Sequence, residues 1–190
     1  MRQVNLVNER DEVIGHVDLI SAHRGSGQKH QAVSWFLFHR SSDGSLKLLL
    51  QQRSGKKIVG AGQWANTLCA NLIPEETHVA CVKRRAKEEL GVDWQENWLL
   101  EEVAVLDYQV ACENGFAENE FDHFFVTVLD DKAFVKLKID LNPDEVENYV
   151  WLSWTDVKAK QLGDRQITPW LNLFLDESDL IRKIEQVCKK

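Results

Sequence analysis

The sequence predicts an α/β fold, because short apolar runs typical of strands share the chain with segments of helical periodicity. The predicted strands cover residues 3–8, 13–19, 32–39, 46–52, 99–111, 118–129 and 149–154. The predicted helices cover residues 77–90, 155–162 and 169–188, and a glycine-containing loop is predicted over residues 21–30. A length of 190 residues fits one domain of this class.

Composition limits the classes of function. Lysine and arginine total 23 against 30 aspartate and glutamate residues, a net charge of −7, so no broad basic surface for nucleic acid is expected. The four cysteines form no CxxC pair, which favours free thiols in a reducing cytosol and predicts a cytoplasmic protein. No signal peptide or membrane span is visible, and the sequence does not indicate an oligomeric state.

The helix predicted after Thr77 organises the middle of the chain. Thr77 suits its N-terminal cap, and Gly91 suits its end. Helical spacing predicts a buried face made of Val79, Val82, Ala86 and Leu90. The charged residues of the helix are therefore predicted to lie away from the core.

The same spacing stacks Arg84 over Glu88 and Arg85 over Glu89. Two adjacent carboxylates beside arginines suggest a divalent cation meeting a phosphate, because hard oxygen ligands suit magnesium and arginine suits phosphate oxygens. An ordinary solvated helix with salt bridges has the same pattern, so the helix alone leaves both interpretations open.

Two histidines and two glutamates form a second candidate constellation. His23 and His30 flank the predicted loop before a central strand, and such a pair can converge on one metal ion. Glu118 and Glu120 are two residues apart on a predicted strand, so their side chains share one face at the rim of an apolar region. Surface histidines and a solvated strand face are the alternatives.

The helix carries a family resemblance. The spacing of Glu76, Arg84 and the run 88–92 resembles the Nudix box, the metal- and diphosphate-binding helix of that superfamily. Ala70 stands where the box has its first glycine. Arg85 stands where Nudix hydrolases carry a metal-binding glutamate, which points to a particular branch of the superfamily.

Three motifs together resemble the type I isopentenyl-diphosphate isomerases. They are Asn66-Thr67-Leu68-Cys69, the box variant with Arg85, and the run 117–123, and the likeness spans roughly residues 4–170. The resemblance implies a Nudix-type α/β/α sandwich with a mixed β-sheet between helices, in a single catalytic domain over residues 1–190.

The resemblance also implies an activity, the interconversion of isopentenyl diphosphate and dimethylallyl diphosphate by protonation and deprotonation across an allylic unit. Cys69 and Glu120 are then the acid–base pair, and Tyr108 assists proton transfer at Glu120. Trp170 offers an aromatic face to a carbocation. Asp122 and His123 are interpreted as structural.

The implied ligand sites follow from the same likeness. Arg53, Lys57 and Arg85 match cations that hold the diphosphate of a small-molecule substrate, with Mg²⁺ bound partly by Glu89. A second divalent ion, Mn²⁺, Zn²⁺ or Mg²⁺, is expected on His23, His30, Glu118 and Glu120, with Asn71 where the family has a third histidine.

Departures from the pattern keep other functions open. A Nudix pyrophosphohydrolase acting on a nucleoside diphosphate-type substrate is the main alternative, and Arg85 counts against it. Asn71, and Leu19 where the family has a lysine, count against the isomerase. A non-catalytic diphosphate-binding protein is a third possibility, although binding alone would not need an acid–base pair.

Overall fold

A curled, mixed sheet of nine strands forms the centre of the computed structural model, which describes residues 2–190. The strands are β1 (Gln3–Val7), β2 (Val13–Asp18), β3 (His30–Arg40), β4 (Leu46–Arg53), β5 (Trp64–Ala65), β6 (Leu68–Asn71), β7 (Glu101–Ala111), β8 (Ala117–Leu129) and β9 (Val146–Ser153). The helices are α1 (Leu19–His23), α2 (His78–Leu90), α3 (Asp131–Phe134), α4 (Trp154–Lys158), α5 (Pro169–Asp176) and α6 (Ser178–Val187). Both predicted hairpins and the predicted strands are confirmed, with boundaries shifted by one to three residues.

Strand β3 holds the sheet together. β8 runs parallel to it along one side, while β1, β6 and β4 pair antiparallel with successive parts of its other side. Ser34 of β3 is in register with Cys69 of β6, and His30 is in register with Glu120 of β8. Because side chains alternate along a strand, these four residues project from one face of the sheet.

Each face of the sheet is covered by helices. One core packs Phe36 and Phe38 of β3 against Trp170, Leu171 and Phe174 of α5 and against residues of α4 and α6. The opposite core packs Val33, Trp35 and Leu37 against the buried face of α2. The predicted α/β/α sandwich with a mixed sheet is therefore confirmed.

Helix α2 has the predicted ends but not the predicted buried face. The Thr77 hydroxyl accepts a hydrogen bond from the Ala80 amide, and Gly91 ends the helix at a φ of 65°. Val79, predicted to be buried, is 42% exposed. Arg85 and Glu89, predicted to lie away from the core, are only 4% and 1% exposed.

Arg85 and Glu89 are buried because another segment of the chain packs against the outer side of α2. The backbone amides of Asp140 and Asn142 donate hydrogen bonds to the carbonyl oxygens of Leu90 and Glu89, so the segment before β9 covers this side of the helix. Arg85 and Glu89 are tolerated there because they pair with each other. Helical periodicity alone does not reveal such a covering segment.

Two other helical predictions are corrected. The predicted loop over residues 21–30 begins inside α1, because the Asp18 carboxylate accepts from the Ser21 amide and caps a helix at Leu19. The predicted C-terminal helix is two helices, since Glu177 has an extended backbone with φ −79° and ψ 91°.

Helix α4 is also shorter than predicted, ending at Lys158, and Lys160 two residues later has a φ of 55° that no α-helix accepts.

Among residues 2–190, no helix combines the length and the hydropathy that crossing a membrane requires.

Candidate active site

A cavity of about 250 Å³ opens on the face of the sheet that carries Cys69 and Glu120. Most residues predicted for the site line it: His23, Arg53, Lys57, Cys69, Asn71, Arg85, Tyr108, Glu118, Glu120 and Trp170. Of the remaining two, His30 lies behind the cavity wall with no exposed surface, and Glu89 is buried beside Arg85. The structure thus brings the predicted residues of seven separate segments to one place.

The two histidines and two glutamates meet as predicted. Nε2 of His23 lies 3.0 Å from Glu118 Oε2, and Nε2 of His30 lies 3.4 Å from Glu120 Oε1. One ligand atom from each of the four residues lies within 4.8 Å of all the others. All four side chains are buried, so the group is a preformed N₂O₂ set and not a solvated surface.

The hydrogen bonds of the histidines test whether a metal ion fits. Nδ1 of His23 lies 2.7 Å from the Leu19 carbonyl oxygen, and Nδ1 of His30 lies 2.7 Å from that of Gln28. A carbonyl oxygen only accepts, so both Nδ1 atoms carry hydrogen and each Nε2 faces the carboxylates. His30 Nε2 is buried without a hydrogen-bond partner among residues 2–190. A cation between the rings and the carboxylates satisfies this arrangement, so the residues fit a divalent metal ion.

The charges of His23 and Glu118 depend on each other. Burial disfavours the charged form of His23, but the adjacent Glu118 carboxylate outweighs it and raises the pKa of His23 to about 9. Burial likewise raises the pKa of Glu118, but the His23 ring outweighs it and lowers that pKa to about 2. The carboxylate therefore stabilises positive charge at this point of the site.

Glu120 is held by two neutral donors. The Tyr108 hydroxyl donates to Oε2 of Glu120, and the Asn71 amide nitrogen lies 2.8 Å from Oε1. Tyr108 is directly opposite Glu120 in the β7–β8 ladder, which fixes this contact. Burial, followed by the charge of Glu120, raises the pKa of Tyr108, so its hydroxyl keeps its proton. Asn71 thus contacts the predicted ligand Glu120 through a hydrogen bond.

Cys69 lies at the other side of the cavity. Its Sγ donates to Asn66 Oδ1 at 2.9 Å, and Nε1 of Trp170 donates to the sulfur at 3.2 Å. The Ser34 hydroxyl lies 3.6 Å from the same sulfur. Burial raises the pKa of the Cys69 thiol, so the sulfur is protonated near neutral pH.

Asp122, interpreted as structural from the sequence, is linked to the site by hydrogen bonds and does not line the cavity. Its Oδ2 accepts from the Ser34 hydroxyl at 2.7 Å, which joins Asp122 through Ser34 to Cys69. Burial, followed by the charge of Glu120, raises its pKa. The alternation Glu118, Glu120, Asp122 on one strand was the available signal, since all three share a face.

The predicted phosphate-binding cations Arg53, Lys57 and Arg85 line the cavity. Nε and Nη2 of Arg53 donate to the Val59 carbonyl at 3.0 and 2.9 Å, and the guanidinium lies 4.9 Å from the Trp170 ring centroid. Gly60 permits this close packing, because a Cβ there would lie 2.8 Å from the Trp170 ring at a φ of 63°. The aromatic ring already faces one cation here.

Lys57 and Arg85 share a partner that sequence analysis missed. Both pair with the carboxylate of Glu145, and Arg85 lies 3.1 Å from it. Burial opposes the charge of Glu145, but Lys57 and Arg85 outweigh it and lower the pKa of Glu145 to about 2. Burial lowers the pKa of Lys57. No motif marks Glu145, because it comes from a segment 60 residues beyond Arg85.

The helix carboxylates are committed to arginines. Glu89 pairs with Arg85 and accepts from Gln51 Nε2 at 3.2 Å, while Glu88 pairs with Arg84 at 3.0 Å and Arg85 at 2.8 Å. Within residues 2–190, the groups of histidine and acidic side chains close enough to bind a metal ion include neither Glu88 nor Glu89. The expectation that Glu89 helps to bind Mg²⁺ with a diphosphate therefore stays a prediction.

Comparison with known families first defines the class. A model described as the NUDIX domain matches residues 28–171, which is more than half of the chain. The protein of Deinococcus radiodurans with a solved structure is similar in fold, with a TM-score of 0.68, 22% identity, and coverage of 91% of this chain and 96% of that one. The class is therefore a Nudix-fold protein, as predicted.

Sequence relatives identify the family to which the chain belongs within the Nudix superfamily. Isopentenyl-diphosphate Delta-isomerase 1 of Aromatoleum aromaticum is 37% identical over 176 residues, covering 92% of this chain and 90% of that protein. Isopentenyl-diphosphate Delta-isomerase of Streptomyces avermitilis is 40% identical over 174 residues, covering 91% and 81%. The chain belongs to the type I isopentenyl-diphosphate isomerase family of the Nudix superfamily.

Proposed function

We propose that this protein is an isomerase that interconverts isopentenyl diphosphate and dimethylallyl diphosphate. The observation that carries the proposal is the placement of Cys69 and Glu120, which open into one cavity from strands on opposite sides of β3. Both side chains line the cavity of about 250 Å³, which leaves room for a five-carbon unit. The family membership supports the same activity.

Substrate binding begins with the diphosphate. Arg53, Lys57 and Arg85 line the cavity, and their charges complement phosphate oxygens. Glu145 pairs with Lys57 and Arg85, so a bound diphosphate, with Mg²⁺ held partly by Glu89, would replace part of that interaction. The hydrocarbon end then lies between Cys69 and Glu120.

The reaction moves one double bond without net change in protons. A proton is added to the terminal methylene carbon of isopentenyl diphosphate, which leaves a tertiary carbocation, and a proton is removed from the carbon two bonds away. The thiol of Cys69 and the carboxylate of Glu120 serve as donor and acceptor. Because the reaction is reversible, each group donates in one direction and accepts in the other.

Neighbouring side chains position Cys69 and Glu120 for proton transfer. Tyr108 keeps its hydroxyl proton and bonds Glu120, while Asn71 fixes the other oxygen of that carboxylate. Trp170 positions the Cys69 sulfur through its indole nitrogen and presents an aromatic ring to developing positive charge. The buried walls limit the access of water that would quench a carbocation.

The metal requirement is part of the proposal. His23, His30, Glu118 and Glu120 would hold the ion, as Mn²⁺, Zn²⁺ or Mg²⁺, with Asn71 bonded to one ligand. A bound divalent ion would supply a positive charge that sets the acidity of Glu120. A cytoplasmic location is also proposed, since the four cysteines are free thiols.

Pyrophosphate hydrolysis is less well supported. A hydrolase needs helix carboxylates available to a metal that activates water. Here Arg85 occupies one expected ligand position and pairs with both Glu88 and Glu89. Hydrolysis also gives no role to the thiol of Cys69 facing the carboxylate of Glu120.

Substitutions of the acid–base pair test the proposal. Cys69→Ala and Glu120→Gln should each lower kcat by at least about 10²-fold, because each removes a proton-transfer group. Cys188→Ala, which changes a buried thiol at the end of α6, should keep the wild-type rate. Isomerisation of isopentenyl diphosphate would be followed by chromatography, with circular dichroism to check folding. Near-normal turnover in a folded Cys69 or Glu120 variant would refute the assignment.

A further inference from the structure

A second group of metal-binding side chains lies on the other face of strand β8. Asp11, His78 and His123 each offer a ligand atom, and these atoms lie within 4.8 Å of one another. Asp11 is in the turn between β1 and β2, His78 is the first residue of α2, and His123 is on β8. None of the three lines the catalytic cavity. Three distant segments therefore bring two imidazoles and a carboxylate together outside the active site.

His123 is oriented as metal-bound histidines are. Its Nδ1 lies 2.8 Å from Oε1 of Glu102, and its Nε2 lies 2.9 Å from Oδ2 of Asp11. A ligating histidine usually donates its other ring nitrogen to a carboxylate, which fixes the ring and its tautomer. Glu102 can take that part, which leaves Nε2 of His123 directed at Asp11.

Asp11 is held in place by its backbone and by its second oxygen. Its φ of 60° lies in the left-handed region, and its amide donates to the Asn8 carbonyl at 3.1 Å. Oδ1 accepts from Gln31 Nε2 at 3.0 Å, and Gln31 is fixed in turn by Asn5 at 3.0 Å. Oδ2 is therefore the oxygen that faces the histidines.

His78 supplies the observation that a hydrogen-bonded cluster does not explain. Its Nε2 is buried and has no hydrogen-bond partner within residues 2–190. Its ring stacks on that of His123 with centroids 3.7 Å apart and planes inclined by 26°, so one ring rotates when both nitrogens bind one ion. A buried ring nitrogen without a partner is costly, and a bound cation would satisfy it.

We propose that Asp11, His78 and His123 bind a divalent transition-metal ion of the Zn²⁺ type, with water at the remaining position. Two imidazole nitrogens and one carboxylate oxygen suit Zn²⁺ and not Mg²⁺, which prefers oxygen ligands. Tetrahedral bonds of about 2.0–2.1 Å place two ligand atoms roughly 3.3 Å apart. The 2.9 Å between His123 Nε2 and Asp11 Oδ2 needs to widen by only a few tenths of an ångström.

The bound ion joins the β1–β2 turn to the start of α2 and to β8. Because it is held by groups that the catalytic cavity does not use, its binding is separable from isomerisation. Metal content, measured without reference to turnover, is therefore the direct test.

The experiment compares Zn²⁺ bound by full-length wild-type protein and by variants after dialysis against buffered free Zn²⁺. Asp11→Asn and His78→Gln should each lower the bound zinc by about one equivalent per chain, because a three-ligand protein site rarely survives the loss of a ligand. Asparagine tolerates a positive φ, so Asp11→Asn tests the site even if His78→Gln folds poorly. The control is His16→Asn, which removes an exposed histidine of β2 and should leave the zinc content unchanged.

A second readout separates a built site from surface binding. Co²⁺ in place of Zn²⁺ should give visible absorption from low-coordinate ligation in wild type, and Asp11→Asn should reduce that absorption while isomerase turnover is kept. Equal zinc content in wild type and Asp11→Asn would overturn the proposal and leave Asp11 and His123 as an ion pair. An equal loss in His16→Asn would overturn it as well, by showing non-specific binding.

Discussion

Glu145 holds together the two cations proposed to bind the diphosphate, so its removal should cost measurable stability. Lys57 and Arg85 lower its pKa from an ordinary value of 4.5 to about 2, against the effect of burial. Each pKa unit corresponds to about 1.4 kcal/mol, so Glu145→Gln should lower the free energy of unfolding by up to about 3 kcal/mol at pH 7. Arg85 keeps Glu88 and Glu89, which makes this figure an upper value.

Urea denaturation of wild type and variant at several pH values measures this cost. The pKa of Glu145 is lowered in the folded state, so its stabilisation is complete above its ordinary pKa and is lost as pH falls toward about 2. The difference between wild type and Glu145→Gln should therefore shrink by more than about half between pH 7 and pH 3.

The adjacent residue gives a matched control. Asp144 pairs with Lys56, and both side chains are 70% exposed, so Asp144→Asn should cost less than about 1 kcal/mol. Equal losses for Asp144→Asn and Glu145→Gln, or a Glu145→Gln loss that does not change with pH, would refute the reasoning about the buried pair.

Three further substitutions give distinct outcomes. Tyr108→Phe should lower kcat by about 10- to 100-fold in a folded protein, since proton-transfer groups contribute about 10²–10⁴-fold and Tyr108 only assists; steady-state kinetics would show it, and an unchanged kcat would contradict the role. Asn71→His should slow the loss of the catalytic-site metal to a chelator by about 10-fold or more, because it adds an imidazole where the amide now lies. Metal analysis over time would measure this rate, and equal rates of loss in wild type and variant would exclude Asn71 as a ligand position. Gly91→Ala should lower the free energy of unfolding by about 2–4 kcal/mol, measured by urea denaturation, because the new Cβ would lie 2.7 Å from Asp140 Cβ at a φ of 65°. Gly115→Ala is the control: its Cβ would meet no neighbour, so it should cost only about 1–2 kcal/mol, and equal costs would show that the contact with Asp140 is unimportant.

The sequence predicted the parts of the site that depend on local spacing. Glu118 and Glu120 share a face because they are two residues apart on a strand, and both line the cavity. Thr77 and Gly91 bound α2 through their capping geometry. The convergence of His23 of α1 and Cys69 of β6 on the same cavity depends on contacts between distant segments, and only the family resemblance implies it from the sequence.

The misses arise from long-range contacts. Glu145 reaches Arg85 through a segment whose path no periodicity encodes, and that segment buries the side of α2 predicted to be solvated. The link from Asp122 through Ser34 to Cys69 is likewise a contact between strands that alternation alone does not show. Such contacts are fixed by tertiary packing, which overrides local propensity.

The central claim is that this chain moves a double bond and does not cleave a diphosphate. Proton NMR of the purified protein with isopentenyl diphosphate and Mg²⁺ or Mn²⁺ in heavy water tests it most directly, with released phosphate followed in the same sample. The account predicts new dimethylallyl methyl signals, deuterium entering the allylic product, and no phosphate release. Unchanged isopentenyl diphosphate, or phosphate released without allylic methyl signals, would contradict it.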